Sequence, residues 1–358
     1  MGPVEPDRPL VRPAEFPEAS WINTPMPLSL EALRGRVILV EIWDYTSLQC
    51  LRTLPYLRAW HERYADLGLV IIGVHTPKFG FARSRAQVEA AAGRLGIRWP
   101  IVLDNDHRIG HDLACRCLPG LVLVGPDGQV RYRQAGKVAY PETEQAIQSL
   151  LSKQDPARSF PTPLPPIRSE DTPGACLPTT QELRITELGN PAPVTSLHLL
   201  FEPPPDRTDG RFFLEGLWRS AKDGVTLGGQ RGAIHLQYHA ASVHAVLSPS
   251  PDPVELDLGL KDPLEIQLSQ DGKPLPREAF AEDVYLAEDQ ARVRIDVARL
   301  YALVRNPDVC SHELRLETRG TGLTFYAFSF GSCLATASAP RTPSKESVHA
   351  QSHPAVPL

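Results

Sequence analysis

An α/β domain followed by an all-β sandwich is the fold class that this 358-residue sequence predicts, and it rests on two changes of pattern and one of length. Between Trp21 and Leu151, short apolar runs alternate with segments whose apolar residues recur every three or four positions, the sequence form of strands joined by crossover helices. From Gln154 to Pro178 proline and polar residues displace that pattern, and beyond them period-two alternation takes over. The length exceeds what one core usually holds, so one boundary between two domains is expected. The reading is an extension at 1–20, an α/β domain at 21–152, a proline-rich linker at 153–180, a sandwich at 181–335 and a disordered tail at 336–358.

Val37 to Trp43 reads as a buried central strand. Leu51, Leu54, Leu57, Trp60, Tyr64 and Leu67 then place one face of a helix from about Ser47 to Asp66 against the sheet, with Gly68 as its stop. Leu69 to Val74 is the next strand, Ser84 caps a helix running to Leu95, and Trp99 to Leu103 is a further strand. Leu121 to Val124 and Val130 to Arg133 flank Gly125-Pro126-Asp127-Gly128 and read as a hairpin; a last helix follows Pro141. In the second half alternation marks strands at Ile234 to Tyr238, Val254 to Leu260, Leu264 to Leu268, Val293 to Val297, His312 to Thr318 and Leu323 to Phe330. Asp271-Gly272-Lys273-Pro274 is one of the turns between them.

A net charge of −5 with no basic run argues against a nucleic-acid partner. The run Val37 to Trp43 is too short to span a bilayer, and the acidic, proline-dotted start lacks the charged and apolar regions of a secretory signal. Read as a whole natural chain, this predicts a cytoplasmic protein without a membrane contact; for an excised piece of a membrane protein, the missing segments would decide. Six cysteines in a chain this long do not make a disulfide scaffold, so each thiol is judged by its surroundings.

Several strings carry a family resemblance: Trp21-Ile22-Asn23-Thr24, Leu33-Arg34-Gly35, Ile42-Trp43-Asp44-Tyr45-Thr46, Leu51-Arg52-Thr53-Leu54-Pro55-Tyr56-Leu57, Gly73-Val74-His75-Thr76-Pro77 and Leu103-Asp104-Asn105-Asp106. Together they resemble the TlpA/DipZ-type redoxins, including those attached to NHL repeats. Gly216-Leu217-Trp218 and Phe325-Tyr326-Ala327-Phe328-Ser329-Phe330-Gly331 resemble the carboxy-terminal module of DipZ proteins, a jelly-roll similar to carbohydrate-binding modules. The resemblance implies a thioredoxin fold and thiol-disulfide oxidoreductase activity through a CxxC turn at the start of the first helix. Its partners would be protein thiols or disulfides, or a dithiol reductant.

In this sequence the turn reads Ser47-Leu48-Gln49-Cys50, so serine stands where the first cysteine would be. A hydroxyl ionises far above a thiol and forms no disulfide, so the two-cysteine cycle cannot run here. By resemblance Cys50 is the second, resolving cysteine, Glu41 a buried acid that takes its proton, and Pro119 the cis-proline facing the turn. Read from the residues alone, Glu41 could instead reach solvent or a lysine, and Pro119 could be a trans-proline opening a strand.

Other readings stay open. Cys115 and Cys117 would share a face if they lay on a strand, as accessory thiols or a strained disulfide. Ser47 and Cys50 are spaced like the hydroxyl and peroxidatic cysteine of peroxiredoxins, although Trp43 stands where those enzymes carry proline. His107, His111 and Cys115 recur at helical spacing, but no metal and no cofactor is assigned. Trp218, Tyr238, Tyr285 and Tyr326 are candidates to stack on a carbohydrate or other small ligand, or else to fill the sandwich core, where Cys310 and Cys333 could be bridged.

Overall fold

The computed structural model describes residues 16, 20–115, 117–136, 139–168, 171, 177, 179–190 and 197–332. The tail at 336–358, nearly all of the extension at 1–20, and Cys333, the other half of the bridge considered for Cys310, lie outside the described residues. The first part of the chain is β1 (Trp21–Ile22), β2 (Val37–Trp43), α1 (Leu48–Tyr64), β3 (Leu69–His75), α2 (Arg85–Arg94), β4 (Ile101–Leu103), α3 (Arg108–Asp112), β5 (Gly120–Val124), β6 (Val130–Ala135) and α4 (Tyr140–Ser152). These strands form one six-stranded mixed sheet in the order β1-β4-β3-β2-β5-β6. β3 runs parallel to both β2 and β4, whereas β5 lies antiparallel to β2 and starts the hairpin to β6. This is the thioredoxin fold expected from the resemblance.

β2 is buried on both faces because alternate residues enter different cores. Val37, Leu39 and Trp43 face the α1 side, together with Cys50, Leu54 and Leu57, while Ile38, Val40 and Ile42 face the opposite core. Period two therefore puts Glu41 on the α1 side. Ser84 caps α2 as expected, its hydroxyl accepting the Gln87 N–H.

The second part comprises β7 (Leu183–Arg184), β8 (His198–Phe201), β9 (Phe212–Ser220), β10 (Val225–Ser248), α5 (Pro253–Leu258), β11 (Leu264–Gln270), β12 (Lys273–Pro274), β13 (Val284–Ala287), β14 (Gln290–Ile295), β15 (Arg299–Arg319) and β16 (Thr324–Gly331). All pairings among its named strands are antiparallel. The long strands β10 and β15 pair along most of their length, and bulges after Ala240 and Val243 let β10 change neighbours, from β9 to β16. Val254 to Leu260 is not the strand that its alternation suggested. Asp252 caps this segment, Pro253 opens it and Gly259 ends it at φ +62, so a short helix forms, with Val254, Leu258 and Leu260 left exposed.

The proline-rich segment after α4 is strapped along the first domain. Glu144 accepts the Leu164 N–H at 2.8 Å, Gln148 donates to the Pro161 carbonyl, Tyr56 accepts the Ile167 N–H at 2.7 Å, and Arg168 donates to the Arg52 carbonyl. The sandwich in turn completes the first core, to which Val246, Ala298, Leu300, Tyr326 and Ala327 contribute. Among the described residues no helix is long and apolar enough to cross a membrane.

Candidate active site

The site gathers where β2 ends and α1 begins. Ser47 is extended (φ −92°, ψ 117°) at the N-cap of α1, and its carbonyl accepts the Leu51 N–H at 3.0 Å. Its hydroxyl caps no backbone amide of the helix and faces Cys50, one turn inside, where it favours the thiolate. Cys50 is fully buried. Burial, with lesser contributions from the Glu41 and Asp44 charges, pushes its thiol up to about 12, and Ser47 and the Asp44 backbone only partly offset this.

Glu41, paired with Gly73 on one side and Leu121 on the other, is also fully buried. Neither carboxyl oxygen has a hydrogen-bond partner among the described residues, and burial raises its pKa well above the ordinary carboxylate value. Among the described residues it reaches neither solvent nor a lysine. The Leu118–Pro119 peptide is cis and leads directly into β5, where Gly120 pairs with Ile42 at the end of β2. Ser47, Cys50, Glu41 and Pro119 thus surround one strand end.

Cys115 and Cys117 do not share a strand. They fall in the loop between α3 and β5, after Ala114 at φ +52°; Cys115 is buried, Cys117 is exposed, and both are free thiols. The Cys115 sulfur is wedged against Gly120, and burial pushes the thiol up to about 11. His107 sits at the N-cap of α3 in the left-handed region and Cys115 lies beyond the end of that helix, so one helical face does not carry His107, His111 and Cys115. Of the candidate stacking aromatics, Trp218, Tyr238 and Tyr326 are buried, leaving Tyr285 partly exposed.

Three functional neighbours escaped the sequence reading. The Asp44 carboxylate is buried and accepts from the Thr46 N–H, the Thr46 hydroxyl and the Lys78 N–H, which ties the Ser47 turn to the loop after β3. His75, also fully buried, lies against Trp43 edge to face and stacks on Tyr45, with ring centroids 5.3 and 5.4 Å apart. Neither of its ring nitrogens has a partner among the described residues, and burial lowers its pKa to about 4. Asp104 accepts from the Ile109 and Gly110 N–H groups and from the Thr76 hydroxyl, fixing α3 beside the Pro119 loop. Asp44, His75 and Asp104 all lie in strings that carry the family resemblance, which was the available signal.

Comparison with known proteins adds two family matches: the redoxin family over residues 14–150 and the family described as a thioredoxin-like C-terminal domain over residues 183–331. Protein DipZ of Mycobacterium tuberculosis is 33% identical over 232 residues, covering 63% of this chain and 33% of DipZ. Human NHL repeat-containing protein 2 is 35% identical over 126 residues, 34% of this chain and 17% of the relative. Thiol-disulfide oxidoreductase ResA of Geobacillus kaustophilus is 24% identical over 121 residues, 34% of this chain and 67% of the relative. The chain therefore spans about a third of the length of the DipZ protein it matches.

Proposed function

We propose that this chain, which matches the redoxin family over residues 14–150 and the thioredoxin-like C-terminal domain family over residues 183–331, is a redox-impaired thiol-disulfide oxidoreductase in which Cys50 is the surviving thiol. The observation that carries this reading is Ser47 at the N-cap of α1, one turn before the fully buried Cys50. The free N–H groups of a helix start stabilise a thiolate at that place, but serine offers them none. Cys50, sealed and held protonated, is slow to attack a disulfide, which is why the chain is redox-impaired. Glu41 remains its proton acceptor: a carboxyl raised by burial lies closer to the thiol's own pKa, which eases transfer between them.

In this reading, protein thiols or disulfides, presented as an extended segment beside Pro119, are bound without the two-cysteine cycle, or react with Cys50 as a monothiol. Cys115 and Cys117 stay accessory, and the segment at 153–180 divides a redoxin domain from a recognition domain. Hydroperoxide is not part of the proposal. Peroxidatic cysteines work as thiolates, whereas what acts most on Cys50 among the described residues is burial, then Ser47, Glu41 and Asp44, with no cation. A carbohydrate ligand on the sandwich is supported only by Tyr285, since the other candidate rings are buried.

The test is Ser47→Cys in the full chain, assayed for dithiol-driven reduction of insulin. The variant is expected to gain activity over the parent and to lose it again when Cys50→Ser is added. A correctly folded Ser47→Cys chain with no gain would overturn the reading.

A further inference from the structure

The sandwich holds a second thiol constellation, independent of the Ser47 turn. Cys310 and His312 are two residues apart on β15, so both emerge on one face of the sheet, opposite Ala240 and Tyr238 of β10. Nε2 of His312 lies 2.9 Å from the Cys310 sulfur, and Nδ1 of the same ring lies 2.7 Å from Oδ2 of Asp271. Asp271 occupies the turn between β11 and β12, and its other oxygen accepts the Glu313 N–H at 2.8 Å. The carboxylate is thus anchored to the strand that carries the imidazole. A neutral ring donating its Nδ1–H to Asp271 turns the Nε2 lone pair toward the thiol, the order of nucleophile, base and orienting acid that activates cysteine elsewhere. Cys310 is a free thiol of intermediate exposure, and the His312 side chain is 22% exposed, so a small reagent can reach the pair.

We propose that Cys310, His312 and Asp271 form a thiol relay that exchanges with small neutral or cationic disulfides. His312 takes the Cys310 proton as the sulfur attacks R–S–S–R. One S–S bond forms between Cys310 and R–S, the original S–S bond breaks, and the departing thiolate takes the proton from His312 to leave as R–SH. The products are a Cys310 mixed disulfide and one thiol, with no other oxidant or reductant required.

The substrate's charge follows from the groups facing the sulfur. Burial first, and then the charges of Asp308, whose carbonyl lies 3.5 Å from Sγ, and Asp271, push the Cys310 thiol up and disfavour negative charge there. The proton therefore leaves only as the imidazole accepts it, and an anionic disulfide would meet like charge. Tyr238, its ring 5.9 Å from His312, and Lys273, which offsets part of the Asp271 charge, complete the surroundings.

The experiment treats the full chain with cystamine, a dication, or with dithiobis(nitrobenzoate), a dianion, and follows mixed-disulfide formation at each cysteine by peptide mass spectrometry across pH. Exposed Cys117 is the internal reference. With cystamine Cys310 is expected to react about tenfold or more faster than Cys117, a modest share of what a positioned base supplies. That advantage should shrink with the dianion. His312→Gln should abolish the advantage, and Asp271→Asn should lower the plateau rate and move the rising limb of its pH profile to lower pH, which loss of a merely structural bond would not do. The parent comparison needs no variant: Cys310 reacting no faster than Cys117 overturns the proposal. So does a His312→Gln chain that keeps the advantage while its circular dichroism and Cys117 rate match the parent.

Discussion

Replacing Glu41 with glutamine should change how stability depends on pH, in a direction and by an amount set by burial. Glu41 is sealed, with its pKa raised well above the ordinary value of 4.5. Above that ordinary value the unfolded chain has lost this proton while the folded chain keeps it. Stability then falls by about 1.4 kcal/mol per pH unit until the folded carboxyl ionises. His75 works in the opposite sense: its pKa is lowered from 6.5 to about 4, so the unfolded ring gains a proton that the folded ring refuses, and stability falls as pH drops through that window. Between about pH 5 and 6 the two slopes nearly cancel in the parent chain. Glu41→Gln removes one of them, so across that window the variant should gain about 1.4 kcal/mol per pH unit relative to the parent. Any constant cost of burying an amide drops out of this slope. Urea unfolding followed by tryptophan fluorescence at several pH values measures it. Parallel curves for parent and variant would refute the reasoning, because they would mean that folded Glu41 binds no more protons than unfolded Glu41.

Other substitutions probe the packing around the site. A Cβ added at Gly120 would lie 2.7 Å from the Cys115 sulfur, so Gly120→Ala should cost about 1–3 kcal/mol. Cys115→Ala should relieve part of that cost, seen as a less-than-additive double variant in urea unfolding. Gly259 ends α5 at φ +62, so Gly259→Ala should lower stability by about 1 kcal/mol and Gly259→Asn by less. Equal melting temperatures for these two variants would count against the left-handed helix stop. The Tyr326 ring packs 5.3 Å from Phe79 and 4.8 Å from Phe81, across the junction between the two domains. Tyr326→Ala should therefore cost about 3 kcal/mol, and a loss below about 1 kcal/mol would mean that the junction contributes little.

Legibility along the chain followed the range of the interactions involved. The order of strands and helices in the first domain was readable because each element announces itself within a dozen residues, through β2's unbroken apolar run or the Ser84 cap. The positions of Glu41, Cys50 and Pro119 near the Ser47 turn were legible from their offsets, given the resemblance, although only coordinates could show that Glu41 has no hydrogen-bond partner among the described residues. Val254 to Leu260 misled because Pro253, Asp252 and Gly259 are helix punctuation that outweighs four alternating apolar residues, three of them exposed. Cys115 and Cys117 misled because spacing says nothing until the backbone is known, and Ala114 at φ +52 breaks the regular geometry that would have paired them. His75 and Asp44 remained unassigned because their significance lies in contacts between segments about 30 residues apart: Asp44 meets Lys78 only after β3 has returned beside β2.

The same reasoning explains why the two halves of the chain cannot be treated as a redox domain plus an appendage. Tyr326 of β16 packs on Phe79 and Phe81; the segment that carries those rings donates the Lys78 N–H to Asp44; and Asp44 holds Thr46, the residue before Ser47. Polar bonds run alongside this apolar path, from Lys78 to Glu182, from the Gly80 N–H to Asp223 and from Ser84 to Asp257. Exposed ion pairs and hydrogen bonds of this kind fix geometry more than they add stability, since each is worth about 1 kcal/mol or less, whereas the buried rings supply the bulk of the contact energy. The sandwich therefore sets the conformation of the loop against which the Ser47 turn is built. A change at that turn, Ser47→Cys included, is read out in a frame that both domains hold in place.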